Sequence, residues 1–216
     1  MCYRTKLNSR LRDIEKTFEA AFIDPHAYTP QEEINGFQHL ETPVILDENP
    51  GEIEFFQWGL IPFWARDKKL QKSTLNAKIE TIKEKPSFRD VVNNRCLIIA
   101  DGFYEWQWLN AKGTNKKKYL IQPKDQPIFA FAGIYSSWRD PATEQLYHTY
   151  SVLTTEANEL MSEIHNNQKR MPVVLQKQDQ KKWLGGKEVT DFAFPYEADL
   201  TAIPADKAGS QQLLNF

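Results

Sequence analysis

Cys2 is the residue of this chain with the most distinctive chemistry, because removal of Met1 makes it the amino-terminal residue. Such a cysteine carries a thiol and a free α-amine on adjacent carbons. A thiol titrates near ~8.5 and an α-amine near ~7.7–8.0, so both reactive forms exist at neutral pH. The thiol can attack an acyl group, or the amine can condense with an aldehyde before the thiol closes a thiazolidine ring. The simpler alternative is a frayed terminus in which Cys2 has no role.

Three internal segments place polar side chains within apolar stretches. Asn76 shares a face with Lys78 if their segment is extended, which sets an amide beside a cation. Glu105 lies among aromatic residues after an apolar run, an environment that raises the pKa of a carboxyl and suits it to proton transfer. His165 falls at the end of a predicted helix, where an imidazole titrates near neutrality. The simpler alternatives are a turn cap, a lysine pair and a helix-terminus contact, respectively.

The elements that position these residues follow from the hydrophobic pattern. Strands are predicted over residues 43–46, 53–59, 95–100, 118–122, 128–135 and 148–153, with the last two antiparallel and a hairpin tip at 110–115. A first helix is capped by Asn8 or Ser9 and continues to Phe22, a second begins at Thr155, and a third runs from Asp179 to the glycines at 185–186. We therefore predict an α+β fold, a single domain over residues 1–216 with a mainly antiparallel, curved or barrel-like sheet and peripheral helices.

Composition restricts the class of protein. The formal net charge of −2 gives no overall sign of nucleic-acid binding, although basic residues concentrate at 66–95 and 112–118, runs that equally suit a solvated surface. Cys2 and Cys96 form neither a disulfide framework nor a C-x-x-C motif, so we expect no metal and no other cofactor. No signal peptide or membrane-spanning run is evident, which predicts a cytoplasmic protein without a membrane partner.

Several motifs occur in an order that is typical of one family. They are Met1-Cys2 with Arg4, and residues 58–64, 76–81, 95–96, 100–106, 131–135, 152–155, 165 and 170–173. From residue 2 to about residue 175 this ordered set resembles the SOS-response-associated peptidase (SRAP) family, abasic-site processing proteins that crosslink to single-stranded DNA.

The resemblance implies a mechanism and a partner. Mature Cys2 would form a thiazolidine with the ring-opened abasic sugar in single-stranded DNA. Glu105 would shuttle protons, His165 would assist sugar opening or later release, and Asn76 would hold the sugar and Cys2 in register. The protein would join the nucleoid when bound to DNA. Its peptidase or hydrolase activity would be limited to exposing Cys2, and an accompanying lyase activity stays open.

The resemblance also implies DNA contacts. The expected phosphate partners are Arg4, Lys78, Arg89 and Arg170. The expected stacking or wedging side chains are Phe63, Trp64 and Trp106, with ordinary core packing as the alternative for the first two.

Three positions depart from the family pattern. Tyr3 replaces a common glycine, which narrows the pocket mouth and restricts the backbone. Lys78 replaces arginine and loses bidentate phosphate recognition. Residues 166–169 lengthen the usual gap between His165 and Arg170, which puts the role of His165 in question.

Two other functions remain compatible with the residues. One is an amino-terminal-nucleophile amidohydrolase or amidotransferase, in which Cys2 attacks an amide, although the nine scattered glycines suggest no glycine-rich oxyanion loop. The other is a non-enzymatic single-stranded-DNA-binding module, for which Cys2 is incidental.

Overall fold

Short strands make up most of the regular structure in residues 2–206, the part of the chain that a computed structural model describes. The strands are β1 (Arg4–Leu7), β2 (Ala21–Phe22), β3 (Gln31–Asn35), β4 (Glu41–Leu46), β5 (Glu52–Trp58), β6 (Asn76–Lys78), β7 (Arg95–Ala100), β8 (Gly102–Trp108), β9 (Lys116–Pro123), β10 (Phe129–Arg139), β11 (Leu146–Glu156), β12 (Arg170–Pro172), β13 (Val174–Leu175) and β14 (Leu200–Pro204). The helices are α1 (Leu11–Phe18), α2 (Glu159–Ile164) and α3 (Gln180–Leu184).

Five of these strands close into a barrel. The strands β11, β10, β7, β4 and β5 pair in that order with antiparallel neighbours, and a parallel pairing of β5 with β11 completes the circle. β7 is buried along its whole length, as its continuous apolar run predicts. Gly133 on β10 lies opposite Cys96 on β7, where an added Cβ would lie 2.5 Å from the Ile98 side chain and 2.8 Å from the Cys96 thiol. Only glycine fits this close approach of the two strands.

A second sheet contains β1, the strand that follows Cys2. Its strand order is β14-β9-β8-β1-β3, and all of its neighbours are antiparallel. Thr5 on β1 pairs with Phe103 on β8. β8 therefore carries Glu105 alongside the strand that follows Cys2.

These observations confirm the predicted fold class: an α+β fold, mostly antiparallel sheet with a five-stranded barrel and few, short helices. The bounds of β7, the antiparallel pairing of β10 with β11, and the hairpin tip at 110–115 also match the prediction. The strand β8 and the strands β1 and β3 were not predicted.

The first helix differs from its prediction at both ends. Asn8 and Ser9 do not cap it, because their side chains bind elsewhere: the Ser9 hydroxyl donates to the Asp101 carboxylate at 2.8 Å and the Asn8 amide to the Glu32 carboxylate at 2.5 Å. The helix begins at Leu11 instead, after an Arg10 N-cap without a side-chain hydrogen bond. It ends at Phe18, since the next residue takes the left-handed conformation with φ of 55°, and residues 21–22 form β2.

The second helix begins later than predicted. Thr155 belongs to β11, and its hydroxyl accepts from the Phe194 N–H at 2.8 Å. Asn158 is the N-cap, and its side chain accepts from the Met161 N–H at 2.9 Å. The amide side chain satisfies a helix-end donor that the predicted threonine does not reach.

The helices formed by residues 2–206 include none with the length and hydrophobicity that a membrane crossing requires.

Candidate functional site

Cys2 lies two residues before the start of β1 and is completely buried, in contrast to a frayed terminus. Its thiol is 3.8 Å from the carbonyl oxygen of Arg4. Burial raises the pKa of the thiol, and the negative charge of Glu105 raises this pKa further. The expectation of a useful thiolate fraction at neutral pH is therefore wrong for this environment, because the buried thiol keeps its proton.

Asn76 holds the backbone of Cys2. It begins β6, which pairs in parallel with β11 through Asn76 and Val152. Its buried side-chain amide donates to the Cys2 carbonyl oxygen at 2.8 Å. The role of a simple turn cap is excluded, and the amide fixes the first strand against the barrel. Lys78, two residues further along the same strand, is exposed.

Glu105 reaches the same region from β8 and is 4% exposed. Burial raises the pKa of its carboxyl to about 7, and the positive charge of the amino terminus opposes this rise. The predicted upward shift is confirmed. At neutral pH the carboxyl is present in both protonation states, as a group that must give and take protons requires.

His165 is fixed at the end of α2. Its Nδ1 lies 2.7 Å from the Arg170 carbonyl oxygen, so this nitrogen carries the proton and Nε2 holds the lone pair. Burial lowers the pKa of the imidazole to about 4, and the positive charge of the amino terminus lowers it as well. The expectation of titration near neutrality is wrong, because burial keeps the ring neutral at pH 7.

Residues 166–169, which lengthen the segment between His165 and Arg170, form a turn. The Lys169 N–H donates to the His165 carbonyl oxygen at 2.8 Å, and Lys169 adopts a left-handed φ of 51°. Residues 166–169 therefore loop outward between two fixed ends, and the Nδ1 contact with Arg170 holds the imidazole in place.

The structure thus brings together four predicted residues from distant parts of the chain, which we call the reaction cluster: Cys2, Asn76, Glu105 and His165. Asn76 and Cys2 are joined by a hydrogen bond. The charge of Glu105 shifts the pKa of Cys2, and the charge of the amino terminus shifts the pKa of His165. The cluster combines a buried thiol, a carboxyl whose pKa is about 7 and a neutral imidazole.

Phe63 and Trp64 lie on the loop between β5 and β6. They are 60% and 45% exposed, so the alternative of core packing is excluded. A small separate core of Ile61, Ala65 and Trp138 anchors the loop, and the indole N–H of Trp138 donates to the Ala65 carbonyl oxygen at 2.7 Å. Two large apolar side chains are therefore held in water on a supported loop.

Arg4 and Trp106 lie near one another on the second sheet. The Arg4 guanidinium lies 5.9 Å from the centre of the Trp106 ring. Arg4 also forms an ion pair with Glu33, which accepts from Lys118 as well. The predicted cation and stacking ring thus share one face, where a carboxylate partly neutralises the charge.

Arg170 is bound inside the protein. Its guanidinium donates to both Glu80 carboxylate oxygens, at 3.0 and 2.8 Å, and to the Thr154 carbonyl oxygen at 2.7 Å. A phosphate contact would require the guanidinium to leave Glu80. Arg89 is exposed and lies 3.6 Å from Asp90, and no hydrogen bond or ion pair within residues 2–206 links it to the reaction cluster.

Two contacts beside the cluster were not expected from the sequence. Glu80 lies in the 76–81 motif and anchors Arg170, whose carbonyl orients His165. The Tyr3 ring packs on Phe37 with centroids 5.1 Å apart. Glu80 in the 76–81 motif and Arg170 in the 170–173 motif have opposite charges, but nothing in the sequence indicated that they are in contact.

Within residues 2–206, no three histidine, cysteine, aspartate or glutamate side chains are grouped so as to hold a metal ion.

Comparisons with known proteins identify the family. Residues 1–208 match the family described as SOS response associated peptidase (SRAP). The abasic site processing protein YoqW of Bacillus subtilis (strain 168) is 39% identical over 206 residues, covering 92% of this chain and 89% of the relative. The abasic site processing protein HMCES of Rattus norvegicus is 31% identical over 207 residues, covering 77% of this chain and 56% of the relative.

A solved structure gives the same result for the fold. A protein from Bacteroides thetaiotaomicron is 32% identical, has a TM-score of 0.84, and covers 95% of this chain and 93% of its own. Because the family match extends over nearly the whole sequence and includes every residue of the reaction cluster, the chain belongs to the SOS response associated peptidase family.

Proposed function

We propose that this protein processes abasic sites in single-stranded DNA by linking mature Cys2 covalently to the ring-opened sugar as a thiazolidine. The observation that carries the proposal is the buried contact of Asn76 with the Cys2 carbonyl, which holds the amino-terminal residue beside a carboxyl whose pKa is about 7. The names of the relatives, abasic site processing proteins, support the substrate.

The proposed reaction balances without an oxidant or a reductant. Removal of Met1 exposes the Cys2 amine, whose nitrogen attacks the aldehyde carbon and forms a carbon–nitrogen bond. The resulting hydroxyl leaves as water and an imine remains. The sulfur then adds to the imine carbon, and the thiol proton ends on the nitrogen. One aminothiol and one aldehyde thus yield one thiazolidine and one water.

The buried thiol favours this order of events. Because burial raises its pKa, the sulfur is a poor first nucleophile, and the amine attacks before it. Glu105 in its protonated form supplies the proton with which the hydroxyl leaves. Its carboxylate form then accepts the thiol proton, a role for which a pKa of about 7 is suited.

Neutral His165 has the complementary role. With the proton on Nδ1 held by the Arg170 carbonyl, the Nε2 lone pair accepts a proton from the sugar hydroxyl as the ring opens to the aldehyde. Asn76 acts by position, since its amide keeps Cys2 from moving while the sugar is bound. The neutral imidazole is the form that can accept this proton, and burial keeps His165 in that form.

The binding surface supports a single strand as the substrate. Exposed Phe63 and Trp64 offer stacking surface to unpaired bases, and the exposed cations Lys78 and Arg89 are available to phosphates. Base stacking is tolerant of sequence, which suits a lesion that occurs anywhere in DNA. We place this activity in the cytoplasm, with any peptidase activity confined to Met1.

The test uses protein whose intact mass shows loss of Met1. It is incubated with single-stranded DNA that carries one abasic site and is run on a denaturing gel without borohydride. A heat-stable, slowly migrating band is expected, absent for Cys2→Ala and retained for Cys96→Ala, the matched variant of the other buried cysteine. No band from protein with a free Cys2, together with glutaminase activity, would favour an amidotransferase instead.

A further inference from the structure

The β8–β9 hairpin carries a strip of aromatic and cationic side chains that the proposed reaction leaves largely unused. The strip consists of Trp106 and Trp108 on β8 and their cross-strand partners Lys118 and Lys116 on β9. The Lys118 ammonium lies 5.4 Å from the centre of the Trp106 ring, and the Lys116 ammonium 5.1 Å from that of Trp108. Such cation–π pairs keep the rings and the charges on one surface.

The strip lies on the face of the sheet opposite Glu105. Successive strand residues point to opposite faces, and the β8–β9 register is regular from Phe103 to Trp108. Lys117, between the two strip lysines, confirms the alternation because its ammonium lies over Tyr119 on the other face, at 5.0 Å. The strip is thus a separate surface from the reaction cluster.

The hairpin is nevertheless fixed to the segment that carries His165. The next residue, Asn166, accepts from the Trp108 N–H at 3.1 Å and donates to the Trp108 carbonyl oxygen at 2.9 Å. Gln107 adds a hydrogen bond to the Glu163 carbonyl oxygen at 3.2 Å. An open cleft of about 490 Å³ lies between the hairpin and this turn, lined by Trp108, Leu109, Asn110, Ala111, Asn166 and Asn167.

The strip and the neighbouring Arg4 carry positive charge, which Glu33 partly neutralises. Arg4 and Lys118 both contact the Glu33 carboxylate. Lys116 forms no ion pair with any residue between 2 and 206 and is exposed. Arg4, Lys116, Lys118 and Glu33 together carry a net charge of +2, and Glu33 competes with any external anion for two of these cations.

We propose that the strip of Trp106, Trp108, Lys116 and Lys118 binds the single strand on one side of the lesion, beyond the nucleotides at the reaction cluster. Bases stack on the two indoles, and the lysines contact phosphates. Glu33 limits the affinity until phosphates displace it. The inference rests on the proposed function for the identity of the strand, but the binding itself does not need the crosslinking reaction. A polyanion with aromatic bases is the partner that matches both components of the strip.

The test compares Lys116→Glu with Lys117→Glu on strands of two lengths. Either substitution changes the net charge equally, so a long-range electrostatic effect is the same for both. The long strand has about 20 nucleotides, more than the ~4–16 nucleotides that one binding groove covers. On this strand, Lys116→Glu is expected to weaken binding about tenfold more than Lys117→Glu. For a strand of about 5 nucleotides centred on the lesion, the two variants are expected to bind alike.

A second variant changes affinity in the opposite direction. Glu33→Gln frees Arg4 and Lys118, so it is expected to strengthen binding to the long strand several-fold and to steepen its salt dependence by about one unit for each additional phosphate that the freed cations bind. Equal effects of the two lysine reversals on the long strand, or weaker binding by Glu33→Gln, would overturn the proposal.

Failure of the proposed function gives a different result. Binding is measured in Cys2→Ala protein, which forms no stable crosslink, and crosslinking is measured in protein that retains Cys2. An absence of crosslinks with a length-dependent effect of Lys116→Glu would refute the reaction and keep the strip. Normal crosslinks on strands of both lengths, without a length-dependent effect of Lys116→Glu on binding, would support the reaction and refute the strip. Moving the lesion toward either strand end identifies the side that the strip binds.

Discussion

The reaction cluster and the Phe63–Trp64 loop are built in opposite ways. Cys2 and Glu105 are almost completely removed from water, whereas Phe63 and Trp64 are 60% and 45% exposed. Asn76 adds a specific hydrogen bond to the cluster, while the loop residues present bare rings. Burial shifts the pKa values of the groups in the cluster, whereas the loop leaves apolar surface exposed.

The contrast separates two physical requirements. Proton transfer near pH 7 requires desolvated groups in fixed positions, since burial is what moves the pKa of Glu105 to about 7. Tolerant binding of unpaired bases requires exposed rings and flexible cations. Substitutions in the cluster should therefore change rates and pH dependence, and substitutions in the loop should change affinity alone.

The largest expected effect is that of Cys2→Ala. This change removes the thiol that closes the ring and so abolishes the stable crosslink, whereas affinity for undamaged single strands stays within about twofold. Fluorescence anisotropy measures the affinity and a denaturing gel the crosslink. Loss of affinity in this variant would show that the cluster and the binding surface are not separable.

The next effect is on the rate. Glu105→Gln keeps the shape of the side chain but removes the titrating proton, so crosslinking is expected to slow by about 10²–10⁴-fold. Single-turnover time courses between pH 5 and 9 measure the change. Loss of the wild-type inflection near pH 7 should accompany the slower rate, and an unchanged profile would remove Glu105 from the mechanism.

The same substitution should affect stability with a defined sign. The folded pKa of about 7 lies above the ordinary 4.5, so the wild-type carboxylate destabilises the fold by roughly 3 kcal/mol once the pH exceeds both values. Relative to its value at high pH, the free energy of unfolding is therefore higher by this amount below pH 4.5, and the difference is lost as the pH rises through 7. Urea unfolding at pH 5 and pH 8 measures this effect. The free energy of unfolding of Glu105→Gln, relative to that of the wild type, is expected to be higher at pH 8 than at pH 5. A constant difference would contradict the raised pKa.

The loop prediction is smaller and concerns affinity. Phe63→Ala or Trp64→Ala should each weaken single-strand binding by about 1–3 kcal/mol, the usual contribution of one stacked base. The melting temperature should change little because both rings are exposed. Leu146→Ala, another exposed apolar residue at 44%, is the matched control. Equal losses for the control and the loop variants would argue against stacking.

Much of the fold was predictable because several strands have apolar or alternating runs of strand length that turn residues bound. β7 was predicted with its observed bounds for this reason. β1 was not predicted, since its short Arg4–Leu7 segment is alternately charged and becomes a strand only by pairing with β3 and β8. Local pattern contains no information about such partners.

The sequence predicted four candidate residues that the structure brings close together, but only part of their acid–base behaviour. Residue types and family motifs identified the four members of the cluster, and Glu105 among aromatics correctly predicted a raised pKa. The lowered pKa of His165 was missed because its burial arises where α2 packs against β8, far away in sequence. The Glu80–Arg170 pair was missed for the same reason, as its partners are 90 residues apart.

The most direct measurement of the central claim is the intact mass of the purified adduct. A thiazolidine formed by mature Cys2 predicts the summed masses of the DNA and the protein without Met1, less one water molecule. Borohydride should leave that mass unchanged, because the closed ring contains no imine. An adduct that retains Met1, or one that gains two hydrogens with borohydride, would contradict the account.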